Sequence, residues 1–461
     1  MSEMFDLNLI EGVYNKFGNE IERIYNNRNE IIWEFDDGSN DYLWVEPDES
    51  MIGTGSNYIG FFERTEQTDV ALEENSIQYS YDGINWEYIP YGLSPEHNTL
   101  IIDKKTYFRY VNNKHIRHRI YGKHIDENSK SSNLKCNVGG SIHKYMNGVY
   151  YNIFEGYTNA PFFMGIDIID ASKLHVDFFE NNHVTSYGYA KMFKSQEFMK
   201  YAPVLHITTI EDYGCSEMFM FCKSLLNSPE LHATTLANYC YNEMFHGCIS
   251  LLKAPELPAT TLAEGCYYEM FDTCRSLVNA PELPATTLAE RCYMLMFYRC
   301  FSLIKAPELP ATTLAKACYS NMFSECTLVT APSLPATILA DSCYIQMFED
   351  CTSLVNAPSL PATTLYNGCY KYMFNGCTSL VNAPELPATT LATNCYNNMF
   401  ERCSSLSNIT CYAENTTIGL FNWVNGVSAT GVFNKRRGVE WPTGVNGIPE
   451  NWTVNEIDMP N

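Results

Sequence analysis

The 18 cysteines are the residues of this 461-residue chain with the most chemistry to offer. Sixteen of them bracket a Met-Phe pair: Cys215/Cys222, Cys240/Cys248, Cys266/Cys274, Cys292/Cys300, Cys318/Cys326, Cys343/Cys351, Cys369/Cys377 and Cys395/Cys403, while Cys136 and Cys411 stand apart. Thiols at fixed spacing could pair as disulfides, hold a metal or act as nucleophiles. The pairs lack the CxxC spacing and the histidine partners of a zinc site. Stacked copies would bring like cysteines to about 5 Å, within disulfide range. Parallel side chains on such a ladder point the wrong way, however. The expectation is therefore buried free thiols acting as small apolar rungs. His115 and His118, three apart in a strand, fall on opposite faces and make no metal pair. There is no nucleophile elbow, HExxH, P-loop or GxGxxG. No catalytic residue, cofactor or metal site is expected, and the chain reads as a non-enzyme.

What positions the cysteines is a repeat. Residues 266–289 read CYYEMFDTCRSLVNAPELPATTLA, and copies place Phe at 193, 219, 245, 271, 297, 323, 348, 374 and 400. The period is 26 residues with a single 25, the mark of a solenoid or array. Leu288, Cys292, Met296 and Cys300 are spaced by four, with Ala289, Tyr293 and Phe297 beside them. This stripe predicts a helix of about three turns, with Thr286 or Thr287 as N-cap. In SLIKAPELP, Pro307 excludes helix, and Leu303, Ala306 and Leu309 predict a short extended segment. The expected fold class is an α/β solenoid of ~26-residue units, each a short strand plus a helix. Its repeat core includes Cys240, Cys248, Cys266, Cys274, Cys292, Cys300, Cys318, Cys326, Phe245, Phe271, Phe297 and Phe323.

Five segments follow from the pattern. Residues 1–41 form an N-terminal arm and a hairpin around Asn26–Asn29, a candidate anchor. Residues 42–135 read as a small β-sandwich, with strands near 42–45, 77–80, 86–89 and 106–110 and a tight turn at Asp82-Gly83. It ends in a basic island, Lys114 to His124, read as a solvated edge. Residues 136–187 are an irregular first repeat or cap, in which Ile153–Tyr157 and Asp170–Leu174 echo the unit. Residues 188–403 are the repeat array. Residues 404–461, with Trp423, Trp441 and Trp452, close it, and the sequons at Asn408 and Asn415 read as polar turns.

The formal net charge of -23 argues against nucleic acid or an anionic membrane as partner. No apolar run is long enough to span a bilayer. The N-terminus lacks the basic and apolar regions of a secretory signal.

The motif CYxxMFxxCxSLxxAPxLPATTLA resembles the BspA-like leucine-rich repeats of gut bacteria and their bacteriophages, over roughly Cys136 to Asn461. The run FNWVNGVSATGVFNKRRGVEWPTGVNGIPENWTV looks like the cap of such proteins. YSYDGINWEYI…YFRYVNN resembles the β-domain that often precedes them, and ERIYNNRNEIIWE resembles short modules at the start of phage tail and fibre proteins. The resemblance implies a right-handed leucine-rich-repeat solenoid used for binding and adhesion. Bacterial surface members carry a signal peptide, so its lack favours a virion component, of tail or head fibre type, made in the host cytoplasm. Its partners would be other virion proteins, or a host-surface glycan or protein receptor, with homo-oligomer formation left open. A bacterial cell-surface adhesin and a cytoplasmic interaction scaffold are the alternatives.

Two surfaces stand out. The positions flanking Met-Phe vary between copies and lie off the stripe, so they are expected to be exposed. Among them Tyr268, Met294, Leu295 and Tyr298, with Phe301 nearby, form a candidate binding patch; packing under the β-domain or a neighbouring subunit, and chance scatter, are the alternatives. Glu230, Glu256, Glu282, Glu308 and Glu385 form an acidic column, read as a solvated face, with cation binding the other option.

Overall fold

The computed structural model describes residues 182–458 continuously and, ahead of them, short strand segments between residues 23 and 175. The N-terminal arm, the Asp82-Gly83 turn, His115 and the Ile153–Tyr157 echo lie outside the described residues. The hairpin pairs Arg23–Tyr25 antiparallel with Ile31–Glu34. A six-stranded sheet has the order Asp167–His175, Leu134–Ser141, Leu43–Pro47, Thr106–Tyr110, Ile77–Ser80, Glu87–Tyr88. The four strands expected between 42 and 110 are thus present, within a residue or two of their predicted ends. The sheet also runs past residue 135, taking two strands from the segment read as an irregular repeat. A second, five-stranded sheet centres on Asn57–Arg64, with His118–His124 of the basic island beside it.

From residue 182 onward the chain is a stack of similar units. One parallel bridge per unit runs up the stack, from Tyr201 through Asn279 and Lys305 to Asn408. Below it, the Ala171 N–H donates to the Tyr201 carbonyl at 3.0 Å. The extended segment is as expected: Pro removes donors, so regular pairing shrinks to single residues. Leu303, Ala306 and Leu309 all point into the core.

The helical half of the unit, and with it the strand-plus-helix leucine-rich-repeat class, is overturned. Among the described residues there is no α-helix. The Cys-x-x-x-Met-Phe-x-x-Cys segment is instead a ribbon of consecutive turns. In the unit around Phe271, the N–H groups of Gly265, Tyr267, Glu269, Phe271 and Thr273 donate to carbonyls of the next unit at 2.7–3.1 Å. The interleaved Cys266, Tyr268, Met270, Asp272 and Cys274 donate to the carbonyl three residues back at 3.0–3.4 Å. Each unit has three left-handed positions four residues apart, here Gly265 (φ 54), Glu269 (φ 51) and Thr273 (φ 60). A right-handed helix admits none of these. The spacing by four was real, but it is the ribbon's own repeat. On a helix each four-residue step would drift by about 40°. Thr286 and Thr287 cap nothing: both N–H groups donate to the Thr260 carbonyl of the preceding unit, at 3.2 and 3.3 Å.

Stacking aligns the buried residues into columns. Phe193 to Phe400 form one, with successive rings near-parallel and centroids 5.4–5.9 Å apart. Tyr241 to Tyr396 form another, at 5.7–6.1 Å. Burying each Phe is worth about 1.5–3 kcal/mol; ring contacts add about 0.5–1.5 kcal/mol. The twelve repeat-core residues named from sequence are each at most 2% exposed. The seventeen described cysteines, all but Cys136, are free and buried. The second of each pair also has a polar role: the thiol of Cys274 donates to the Phe245 carbonyl at 3.2 Å, and Cys300 to Phe271 at 3.1 Å.

The C-terminal segment closes the stack with three parallel strands, Asn408–Cys411, Val432–Arg436 and Thr453–Ile457. Trp423 is fully buried, stacks on Tyr396, and donates through Nε1 to the Gly447 carbonyl at 2.8 Å. One large indole ends both aromatic columns, since its ring also meets Phe400 at 6.2 Å. Asn408 lies in a strand, its side chain linked to Asn382 and Asn434, and Asn415 pairs both polar ends with the Leu391 backbone.

Two outcomes test this architecture. Ala317 holds a left-handed position (φ 51) that Gly265 and Gly368 occupy in other units. Ala317→Gly should leave stability unchanged or raise it by up to ~1 kcal/mol, seen as an equal or higher thermal midpoint. In a helix the same change would cost about 1 kcal/mol. Burial pushes thiols such as Cys240 and Cys292 up to about 12. The buried thiols should therefore resist labelling in the native protein, and all 18 cysteines should titrate after unfolding without reductant.

Candidate functional site

Along the ribbon, two core residues alternate with two that lie off the core. The variable positions beside Met-Phe are less open than expected. Ser216, Asn242, Asp272, Ser320, Ser324, Asn375 and Asn398 are buried, Arg299 and Arg402 are exposed, and most of the others are half-buried. The turns close on themselves every four residues, so these side chains lie against the neighbouring rung instead of standing off a helix.

The candidate patch is altered by the same effect. Tyr268, Met294, Leu295 and Tyr298 are half-buried, and only Phe301 is exposed. The Tyr298 hydroxyl donates to Glu325 Oε1 at 2.8 Å, while Arg299 spans the Glu325 carboxylate and lies 4.7 Å from the Tyr298 ring centre. Burial and that hydrogen bond push the Tyr298 phenol up to about 12. Arg275 sits over Phe301 at 5.6 Å. The patch is thus a set of cross-rung contacts, not an open aromatic platform. The acidic column, by contrast, is exposed at Glu230, Glu256, Glu282, Glu308 and Glu385. Shallow grooves separate its rungs, one of about 440 Å³ between residues 279–284 and 305–310. They open because the proline-bearing segments share no backbone bonds between their bridged ends.

Two features were missed from sequence. The first is an exposed aliphatic column, one side chain per unit, at Leu252, Val278, Ile304, Val329, Val355 and Val381. The residue after Ser-Leu, or after Thr327-Leu328 in the short unit, is aliphatic in each of these copies, which was a usable signal. The second is a polar cluster spanning two units. Glu243 and His246 lie on one rung, Glu269 and Asp272 on the next. His246 Nδ1 is 3.2 Å from Asp272 Oδ2 and 3.5 Å from Glu269 Oε2, at angles that make no hydrogen bond. Burial works against protonation of His246, but Asp272 and Glu269, with the charge of Glu243, outweigh it and raise the imidazole to about 9. Burial, with the charges of Glu269 and Glu217, raises the Glu243 carboxyl. At Glu269 burial acts upward too, and His246 and Tyr268 more than offset it. The signal was alignment by period: Glu-Met-Phe-His over Glu-Met-Phe-Asp.

Among the described residues no helix is long and apolar enough to cross a membrane. No protein-family model matches the chain, and no curated protein or solved structure is significantly similar to it.

Proposed function

We propose that the chain is a non-catalytic binding and structural protein, a bacteriophage particle component whose repeat stack presents a continuous docking face for particle assembly or host attachment. The observation that carries the docking face is the aliphatic column. Its six side chains are 40–56% exposed, and at about 5 Å per rung they extend over roughly 25 Å. A face that met only water would hold polar residues there; an apolar line of this length suits contact with another surface. The acidic column and its grooves run alongside and supply polar rim contacts. The partner is another protein of the particle, or a protein or glycan on the host surface.

The assignment to a particle is supported by the motif resemblance of the repeats and their cap to phage-encoded proteins. A bacterial surface adhesin and a cytoplasmic scaffold would use the same face in a different place. Mass spectrometry of purified particles should find the chain at the abundance of a structural protein. Its absence there, together with surface labelling of phage-free cells, would select the adhesin reading. The triple variant Ile304→Asp, Val329→Asp, Val355→Asp should fold, because all three side chains are exposed, yet lose incorporation or host binding. Retention of both would remove the column as the docking face.

A further inference from the structure

Four successive units carry charge at one place in the ribbon: Lys191-Met-Phe-Lys194, Glu217-Met-Phe-Met220, Glu243-Met-Phe-His246 and Glu269-Met-Phe-Asp272. The lysines are spent on one carboxylate: Lys191 Nζ lies 3.4 Å from Glu217 Oε1, and Lys194 pairs with Glu217 Oε2. Glu243, Glu269 and Asp272 are left with one imidazole among them. His246, Glu243 and Glu269 are only half-exposed or less, and Asp272 is 6% exposed. Three carboxyl groups gathered out of water around one imidazole are short of positive charge.

We propose that Glu243, His246 and Glu269, assisted by Asp272, bind one divalent transition-metal ion, Zn²⁺ by preference, and so staple two neighbouring units. One donor atom from each of the three lies within 4.8 Å of the others. An ion with bonds of about 2.0–2.2 Å holds tetrahedral donors about 3.3–3.6 Å apart, so such a set closes by up to about 1.5 Å as the ion binds. A second observation points to a ligand here. His246 Nδ1, the ring nitrogen turned to Glu269 and Asp272, is buried without a hydrogen-bond partner. Beside it the Asn242 amide donates to Glu243 Oε1 at 3.3 Å and orients that carboxylate. A mixed imidazole and carboxylate set favours Zn²⁺ over Ca²⁺, which takes six or more oxygens. The frame is set beforehand, because the Glu243 N–H is bonded to the Tyr268 carbonyl of the next rung at 2.8 Å.

The test is calorimetric titration of the chelator-stripped full chain with Zn²⁺, with Ca²⁺ in parallel. One Zn²⁺ should bind per chain at micromolar or tighter affinity, raise the thermal midpoint, and greatly exceed Ca²⁺. Substitution with Co²⁺ should give a visible spectrum without thiolate-to-metal charge transfer, which separates this site from the cysteines. Glu243→Gln, His246→Asn and Glu269→Asn should each weaken binding at least tenfold. The same columns already hold Gln346, Asn375 and Asn321 in other units, so the variants should fold, as circular dichroism would confirm. Glu282→Gln, in the exposed acidic column, should bind as the parent does. Failure of the parent to bind Zn²⁺ at concentrations 100-fold above micromolar would overturn the site. So would a thiolate spectrum, or equal losses with Glu282→Gln. None of these results bears on the docking face.

Discussion

Half of the N–H groups in each turn ribbon have no partner within their own repeat. In the unit around Phe271 five of them donate to carbonyls one rung onward. An unsatisfied buried N–H costs about 1–3 kcal/mol, so a lone ribbon is untenable and the conformation exists only as a stack. The donors all face the C-terminal end, which makes that end the one in need of a closing acceptor surface. The last regular unit meets it in the C-terminal segment, where Gly419, Phe421, Trp423 and Asn425 offer carbonyls to Tyr396, Asn398, Phe400 and Arg402. The cap is therefore a continuation of the hydrogen-bond ladder as well as a lid on the aromatic columns.

That requirement explains the residue choices inside. Neighbouring rungs must approach closely along the whole ribbon, so buried positions repeat a type at each level. Phe stacks on Phe and Tyr on Tyr, nearly parallel. The cysteines fit the narrow positions between these rings. A thiol is small and apolar enough for the space, and in the second column it also gives a weak hydrogen bond to a Phe carbonyl already serving a turn. The cost is conformational: non-glycine residues such as Arg291, Leu295 and Arg299 hold left-handed φ in one unit, each at about 1–2 kcal/mol. Inter-rung bonds and column burial offset it jointly.

The surface inherits the same geometry. Side chains at a given ribbon position lie next to their counterparts in adjacent units, so residues 26 apart in sequence become neighbours. The Arg299–Glu325 pair, the Asn382–Asn408–Asn434 ladder and the Glu243–Glu269 approach all arise this way. Where one residue type recurs, as in the aliphatic column, a line is written along the molecule. Where types differ, local clusters form between two rungs.

Much was legible in the sequence alone. The 26-residue period, the burial of Cys266, Met270, Phe271 and Cys274, the proline-limited extended segment and the strands between 43 and 110 follow from residue type and spacing. Apolarity and backbone donors are local properties, and they show in the chain without its neighbours. What only the tertiary structure decided is the conformation between the cysteines and the meaning of the residues around Met-Phe. Over nine residues a period of four cannot be told from one of 3.6, and Ala317 or Leu295 carries no propensity for left-handed φ. Gly265 and Gly368 hinted at it, in a column otherwise filled by Tyr, Arg, Ala, Ser and Asn. The choice between helix and ribbon was made by hydrogen bonds to a neighbouring rung, and those partners lie 23 to 25 residues away in sequence.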